Sequence, residues 1–191
     1  MKKTSVHLVF LLFIISNLTA QKKEVCIIKT TLGDITVELY FKKAPITVAN
    51  FLKYVDAHLY DNTSFFRSVT LNNQPKDVVK IEVIQGGEVD STKVFAPIPL
   101  ERTSQTGLLH KNGAISMARG KPDSATSSFF ICINDQPSLD FEGKRNKDGQ
   151  GFAAFGKVTK GMNVVKKIQQ IASINSQNIK PPVLILSIKR E

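Results

Sequence analysis

The chain has 191 residues, of which 42% are hydrophobic and 22% charged, and its formal net charge at pH 7 is +10. This is ordinary globular composition, and the length favours one domain that buries a core without help from disulfides or metals. The basic residues are scattered rather than gathered in one block, which argues against a nucleic-acid-binding segment. We therefore expect a single folded domain that does not bind nucleic acid.

The first 20 residues differ in composition from the rest of the chain. Two lysines precede an apolar stretch from Val6 to Ile15, and polar and small residues follow as far as Ala20. This order predicts a signal peptide over 1–20 and a mature domain over 21–191. The apolar stretch is short for a membrane span, which needs about 20 residues. We expect an exported protein, periplasmic or secreted, with no membrane span once the signal is removed; retention as an uncleaved anchor is the alternative.

Eight segments downstream have strand character, and glycine or proline separates most of them. In the second, Ile35, Val37 and Leu39 alternate with polar residues, which is the period of a half-buried strand. The predicted strands cover residues 25–29, 34–40, 64–69, 79–84, 114–118, 128–133, 152–158 and 183–189.

Two segments have helical spacing. After Pro45, apolar residues recur at intervals of three and four as far as Leu59, and a second such pattern covers 163–171 after Gly161. Many short strands with two substantial helices predict a mainly β domain, either a closed antiparallel barrel or a sandwich, with helical caps.

Two long polar segments, 71–77 and 141–150, have no periodicity. Long loops on a rigid scaffold are often recognition surfaces, and a tolerated surface insertion is the equally weighted alternative. The two cysteines, Cys26 and Cys132, lie within apolar strand-like runs. We expect two buried thiols rather than a disulfide, because free cysteine behaves as a small hydrophobic residue.

Five segments, taken together, resemble the cyclophilins, in particular exported bacterial ones. They are GDITVELYFKKAPITVANFLKYV at 33–55, SFFRSV at 64–69, VIQGGE at 83–88, GAISMARGKPDSATSSFFICI at 113–133 and FAAFGKVTKGMNVVKKI at 152–168. They occur in family order. The resemblance implies a closed eight-stranded antiparallel barrel capped by two α-helices. It also implies peptidyl-prolyl cis/trans isomerase activity on proline-containing polypeptides, with no cofactor. We expect a monomer.

The resemblance also assigns the residues of an active site. Arg67 stands at the family's catalytic arginine position. The substrate-binding positions fall on Val83, Gln85, Met117, Ala118, Arg119, Ser128, Phe130, Leu139 and Phe152. Phe130 and Leu139 occupy the positions that hold the proline ring, and Phe152 replaces the usual histidine or tyrosine.

Three residues depart from the family pattern. Glu82 stands where an apolar pocket residue is expected, Ser128 replaces a frequent glutamine, and Ser138 replaces a tryptophan or another large residue. These changes predict a shallower pocket and weak sensitivity to cyclosporin. They leave open a second hypothesis, a module that binds proline-containing segments with little turnover.

A hydrolase is the other class of enzyme to weigh. His58 and His110 are the histidines that follow residue 20, and no Gly-x-Ser-x-Gly elbow is present. We expect His58 to be solvated near the end of the first helix and His110 to precede a turn, both in structural or surface roles. Three basic residues occupy the 140–150 segment where a calcium loop needs oxygen ligands. We expect no metal site.

Overall fold

The computed structural model describes residues 24–172 and 175–191, so the predicted signal peptide lies outside the described residues. In chain order the elements are β1 (Glu24–Thr30), β2 (Gly33–Leu39), α1 (Pro45–Asp56), β3 (Thr63–Val69), β4 (Val83–Gly86), α2 (Thr103–Thr106), β5 (Ala114–Met117), β6 (Phe129–Cys132), a 3-10 turn (Pro137–Leu139), β7 (Ala153–Lys160), α3 (Met162–Gln170) and β8 (Asn178–Arg190).

The strands form one closed antiparallel barrel in the order β1-β2-β7-β5-β6-β4-β3-β8. Closure pairs every strand on both sides, so the barrel has no free edge. The predicted mainly β fold with a closed eight-stranded barrel is thus confirmed. The two predicted helices correspond to α1, which packs on β7 and β8, and α3, which packs on β2, β3 and β4. The four-residue α2 was not predicted. None of the helices within the described ranges is long and apolar enough to cross a membrane.

Aromatic side chains fill the barrel beneath α1. The ring centroid of Phe51 lies 5.3 Å from that of Tyr60, 5.6 Å from that of Phe129 and 5.2 Å from that of Phe155. All four rings are fully buried. Phe129 and its neighbour Phe130 point in opposite directions, as strand geometry requires, and only Phe129 belongs to this core.

The predicted fourth strand is wrong at its start. It was expected over residues 79–84, but β4 begins only at Val83. The Gln74 side chain bonds both backbone groups of Ile81, at 2.8 Å to its carbonyl oxygen and 3.2 Å from its amide nitrogen. Arg145 donates to the Val79 carbonyl oxygen at 2.7 Å. Side chains therefore satisfy the backbone that a longer strand would have paired.

The first helix also ends earlier than its apolar spacing predicts. It was expected to continue to Leu59, but α1 ends at Asp56. His58 has a φ of 55°, in the left-handed region that a right-handed helix cannot include. As expected, the His58 side chain is exposed; it lies 3.4 Å from Asp61.

Candidate active site

One pocket of about 230 Å³ opens beside β3, β4 and β6. Eight of the ten site residues that the resemblance assigned line it, and it contains three more that were not assigned. The full lining is Arg67, Ile81, Val83, Gln85, Ala118, Arg119, Phe130, Leu139, Arg145, Asn146 and Phe152. The roles of these residues remain predictions, but the geometry brings most of them to one place.

The floor of the pocket is a small apolar cluster separate from the main core. Val83, Phe130 and Leu139 belong to it, and Phe152 packs against it. The rings of Phe130 and Phe152 meet edge to face, with centroids 5.3 Å apart and planes at 87°. Such pairs hold aromatic rings in a fixed orientation, so the floor is a shaped apolar surface rather than a loose one.

Arg67 stands at the wall of the pocket, and two glutamines hold its guanidinium. Nη1 donates to Gln85 Oε1 at 2.9 Å, while Nε and Nη2 donate to Gln177 Oε1 at 3.0 and 2.7 Å. A guanidinium has five N–H groups, so three are used here and one remains on each terminal nitrogen. Burial lowers the pKa of Arg67 from its usual value, and the charge of nearby Arg145 lowers it further.

Ser128 supports Gln85 and does not line the pocket. Gln85 Nε2 donates to Ser128 Oγ at 3.1 Å, and Ser128 Oγ donates to the Gly86 carbonyl oxygen at 3.2 Å. This chain fixes the orientation of the Gln85 amide, so that its oxygen faces Arg67. Ser128 therefore acts on Arg67 through Gln85, which differs from the direct substrate contact that was expected.

Met117 also differs from expectation. Its side chain is 1% exposed and belongs to the main core, together with Phe129 and Ile115. Because successive strand residues alternate between faces, Met117 points away from the pocket that its neighbour Ala118 lines.

Glu82 does not enter the pocket either. Its carboxylate accepts hydrogen bonds from Asn134 Nδ2 at 2.8 Å and Gln169 Nε2 at 3.3 Å. Ile81, one residue earlier, lines the pocket in its place. Glu82, which departs from the family pattern, therefore lies outside the pocket.

Arg119 lines the pocket, but its donors are already engaged. Nη1 and Nη2 form a fork on the Asp148 carboxylate at 2.7 and 2.9 Å, and Nε donates to the Gly151 carbonyl oxygen at 2.8 Å. Its remaining N–H groups bond the carbonyl oxygens of Gly120 and Gly151. The guanidinium also lies over the Phe152 ring, 5.1 Å from its centroid. Arg119 thus supports the pocket wall and has no donor to spare for a substrate.

The two polar segments without periodicity meet at this pocket. Arg145 from the second donates to Gln74 Oε1 in the first at 3.2 Å and pairs with Asp77 at 3.2 Å. The backbone nitrogen of Arg145 also bonds the Ser138 carbonyl oxygen at 3.1 Å. The second segment therefore lines the pocket through Arg145 and Asn146, and the first contacts the second through Gln74 and Asp77 without lining the pocket. Arg145, Asn146 and Gln177 were not predicted as site residues; the excess of basic residues in 141–150 was the only sequence signal for the first.

The family model for cyclophilin type peptidyl-prolyl cis-trans isomerases matches residues 25–190. The chain belongs to the cyclophilin family. Its activity is that of the family, peptidyl-prolyl cis/trans isomerisation.

Two curated relatives agree with this assignment, and one solved structure agrees with the fold. The cyclophilin is 38% identical over 168 residues to a peptidyl-prolyl cis-trans isomerase of Acinetobacter baylyi, covering 84% of this chain and 82% of the relative. It is 36% identical over 147 residues to peptidyl-prolyl cis-trans isomerase B of Escherichia coli, covering 75% and 83%. A crystal structure of a Cryptosporidium parvum cyclophilin type isomerase superposes with a TM-score of 0.69 at 22% identity, covering 89% and 98%.

A buried Ser-His-Asp arrangement in this cyclophilin needs a separate explanation. His110 Nδ1 lies 2.7 Å from Asp140 Oδ1, and His110 Nε2 lies 3.0 Å from Ser116 Oγ. Ser116 is 0% exposed and His110 is 1% exposed. A nucleophile must reach its substrate, so this arrangement is structural: it ties the loop that carries Asp140 to β5 beneath the pocket. The expected structural role of His110 fits this position.

Proposed function

We propose that this cyclophilin isomerises X-Pro bonds with Arg67 as its catalytic residue, and that its clients are exported polypeptides. The observation that carries the first part is the guanidinium of Arg67, fixed by two glutamines beside an apolar floor, with one N–H left on each terminal nitrogen. The second part rests on the signal-like composition of residues 1–20.

The chemistry requires only that the twisted imide be favoured over the planar ones. Delocalisation of the nitrogen lone pair into the carbonyl gives a barrier of about 18–20 kcal/mol to rotation. In the twisted state the proline nitrogen regains its lone pair, and a donor from Arg67 would bond it there and not in the planar state. An interaction made only in the transition state raises the rate of turnover.

The apolar floor supports this role by holding the proline ring. Phe130, Leu139 and Phe152 offer an apolar surface next to Arg67, and the edge-to-face rings limit how the proline sits. With the ring fixed, the residue before proline is the part that rotates, and the imide nitrogen stays within reach of the guanidinium.

Comparing wild type with Arg67→Ala tests the catalytic assignment. We expect the isomerisation rate of a neutral proline peptide, followed by exchange NMR, to fall by about 100-fold, the usual effect of removing a transition-state donor. Arg190→Ala, which removes an exposed arginine paired with Asp56, serves as a charge-matched control and keeps the rate. Rates for both proteins that do not exceed the uncatalysed rate would favour the binding-module hypothesis, provided that peptide binding persists, whereas equal rates above it would overturn the role of Arg67.

Export is tested on the full chain. Expressed in a bacterial host with a tag after Glu191, the protein should appear outside the cytoplasm with Gln21 as its new N-terminus. A product that keeps its first 20 residues in the soluble cytoplasmic fraction would contradict the proposal, whereas one that keeps them in the membrane fraction would favour the uncleaved anchor.

A further inference from the structure

Three arginines line the pocket, and their charges are balanced unequally. Arg119 is paired with Asp148 through two hydrogen bonds. Within the described ranges Arg67 has no carboxylate partner and is held by amide oxygens alone. Arg145 has one, Asp77, whose side chain is 40% exposed whereas that of Arg145 is 14% exposed. Arg145, which lines the pocket, is therefore the less solvated member of the pair.

The polar groups left without partners at this wall are donors. Arg145 uses Nη1 for its bonds to Gln74, Val79 and Asp77, and its Nε and Nη2 have no acceptor among the residues that the structure describes. Asn146, the next residue, also lines the pocket, and its Nδ2 is buried without an acceptor. Arg67 adds the two N–H groups that its glutamines leave. Among these groups only Asn146 Nδ2 is a buried atom without any partner, and the free N–H groups of the two arginines favour a ligand rich in oxygen.

Arg67 and Arg145 carry like charges and line the same pocket, so both favour an anion there. The pKa of Arg67 is lowered first by burial and then by the charge of Arg145, while Asp77 partly opposes this. An anion placed between the two arginines would replace their repulsion with two attractions. Carboxylates bind guanidinium groups through paired N–H donors, and the bonds are strengthened by charge.

We propose that the pocket selects proline peptides that carry a carboxylate next to the proline, and that Arg145 is the residue that recognises it. This rests on the proposed function, since both concern one pocket. The carboxylate has three possible sources: an acidic residue before the proline, an acidic residue after it, or the free C-terminus of a chain that ends in proline.

Peptide pairs separate these three sources. Each pair has one carboxylate and its neutral counterpart: Glu against Gln before proline, Glu against Gln after proline, and a terminal proline against its amide. Exchange NMR on each pair gives kcat/KM at low salt. We expect at least one carboxylate peptide to be turned over about tenfold better than its partner, with the difference shrinking as salt is raised.

Two substitutions in the ion pair move this preference in opposite directions. Arg145→Gln removes the recognising charge and should bring the ratio of kcat/KM between each carboxylate peptide and its neutral counterpart near one. Asp77→Asn removes the competing carboxylate but keeps the bonds from Arg145 to Gln74 and Val79, so it should raise the ratio. If the ion pair is purely structural, the two substitutions should not move the ratio in opposite directions.

Arg190→Gln is the matched control for net charge. Arg190 lies at the far end of β8 from Asn178, the residue of that strand that pairs with Arg67. Arg190→Gln should leave the ratio of kcat/KM between carboxylate and neutral peptides at the wild-type value. If Arg145→Gln fails to fold, Asp77→Asn decides alone, and a ratio that it leaves unchanged would overturn the proposal.

The outcomes distinguish the two proposals. Equal turnover of all pairs by wild type, or a preference that persists in Arg145→Gln, would overturn the carboxylate proposal while leaving the isomerase assignment intact. Neutral peptides that Arg67→Ala turns over as well as wild type would overturn the catalytic assignment. In that case, carboxylate-dependent chemical shifts that vanish in Arg145→Gln would still support selection of the peptide.

Discussion

Gln177 accepts two hydrogen bonds from Arg67 through a single oxygen, at 3.0 Å from Nε and 2.7 Å from Nη2. Gln177 is itself fixed, since its carbonyl oxygen accepts from the Ser68 nitrogen at 2.7 Å and its Nε2 donates to the Asn73 carbonyl oxygen at 3.3 Å. With Gln85 on another edge, the guanidinium is held on both sides before any peptide arrives. A donor that is oriented in advance needs no reorganisation during the reaction.

Removing the Gln177 acceptor should therefore slow turnover. We expect Gln177→Leu to lower kcat by roughly tenfold with little change in KM, because a lost hydrogen bond to a charged group costs about 1.5–3 kcal/mol and the group is used in the transition state. Gln177→Glu keeps an acceptor at the same place and should retain most of kcat on a neutral peptide. A Gln177→Leu protein with wild-type kcat would show that Gln85 alone orients Arg67.

The buried His110 predicts a loss of stability when it is removed. It bonds Asp140 and Ser116 and stacks on Phe130 with ring centroids 5.9 Å apart. His110→Ala leaves a cavity and a buried Ser116 hydroxyl without its partner, while Asp140 keeps its bond from the backbone nitrogen of residue 110, so we expect the free energy of unfolding in urea to fall by about 2–4 kcal/mol.

The exposed histidine provides the control for this measurement. His58→Asn keeps a residue that tolerates the positive φ of 55° and should change stability by less than about 0.5 kcal/mol. If the two variants unfold at the same urea concentration, the His110 network contributes nothing measurable to stability.

Patterns within single segments predicted the strands and helices, and the resemblance predicted the closed barrel and the pocket floor. Alternation in β2 shows which face is buried, because neighbouring strand residues point to opposite sides. The same rule separates Phe129 from Phe130, although it does not say which of the two faces the pocket. Resemblance then assigned Phe130 to the pocket, and the structure agrees.

The part of the site that was missed depends on contacts between distant segments. Arg145 reaches Gln74 across 71 residues, and Arg67 reaches Gln177 across 110. No local pattern marks such partners, since a solvated arginine and a pocket arginine look alike in sequence. The early part of the predicted fourth strand failed for the same reason, because the side chains that replace its ladder come from Gln74 and Arg145.

Two glycines in the second polar segment provide a matched test of how tightly it is held. Gly149 and Gly151 have φ values of 62° and 65°. A Cβ on Gly149 would meet nothing within 4 Å, whereas one on Gly151 would lie 2.5 Å from the Asp140 carbonyl carbon. Gly149→Ala should cost only the backbone penalty of about 1 kcal/mol, and Gly151→Ala clearly more.

Gly149→Ala and Gly151→Ala should also differ in isomerase activity. Displacing Asp140 disturbs the loop that brings Arg145 and Phe152 to the pocket, so Gly151→Ala should also lose turnover of a proline peptide. Urea unfolding and exchange NMR on both variants check this. Equal effects of the two substitutions would mean that the close approach at Gly151 is not maintained in solution.

The two thiols predict how stability changes in alkaline solution. Cys26 and Cys132 are free and fully buried, as expected, and burial raises the pKa of both, that of Cys26 from 9.0 to about 12. The folded protein therefore keeps these protons in a range where the unfolded chain releases them. Their contribution to stability is complete below pH 9 and is lost progressively as the pH rises towards 12. Urea unfolding of Cys26→Ala should depend less on pH across that window than unfolding of wild type.

Thiol labelling offers a direct check of the same burial. At pH 8 a thiol reagent should leave both cysteines of the folded protein unmodified and react with both in urea, because the thiolate is the reactive form and neither sulfur is exposed. The single variants Cys26→Ala and Cys132→Ala assign any residual reaction to one site. Since Cys132 lies in the apolar cluster beneath Phe130, rapid labelling of Cys132 alone would mean that the pocket floor opens without global unfolding, and a proline ring would then meet a yielding surface instead of a fixed one.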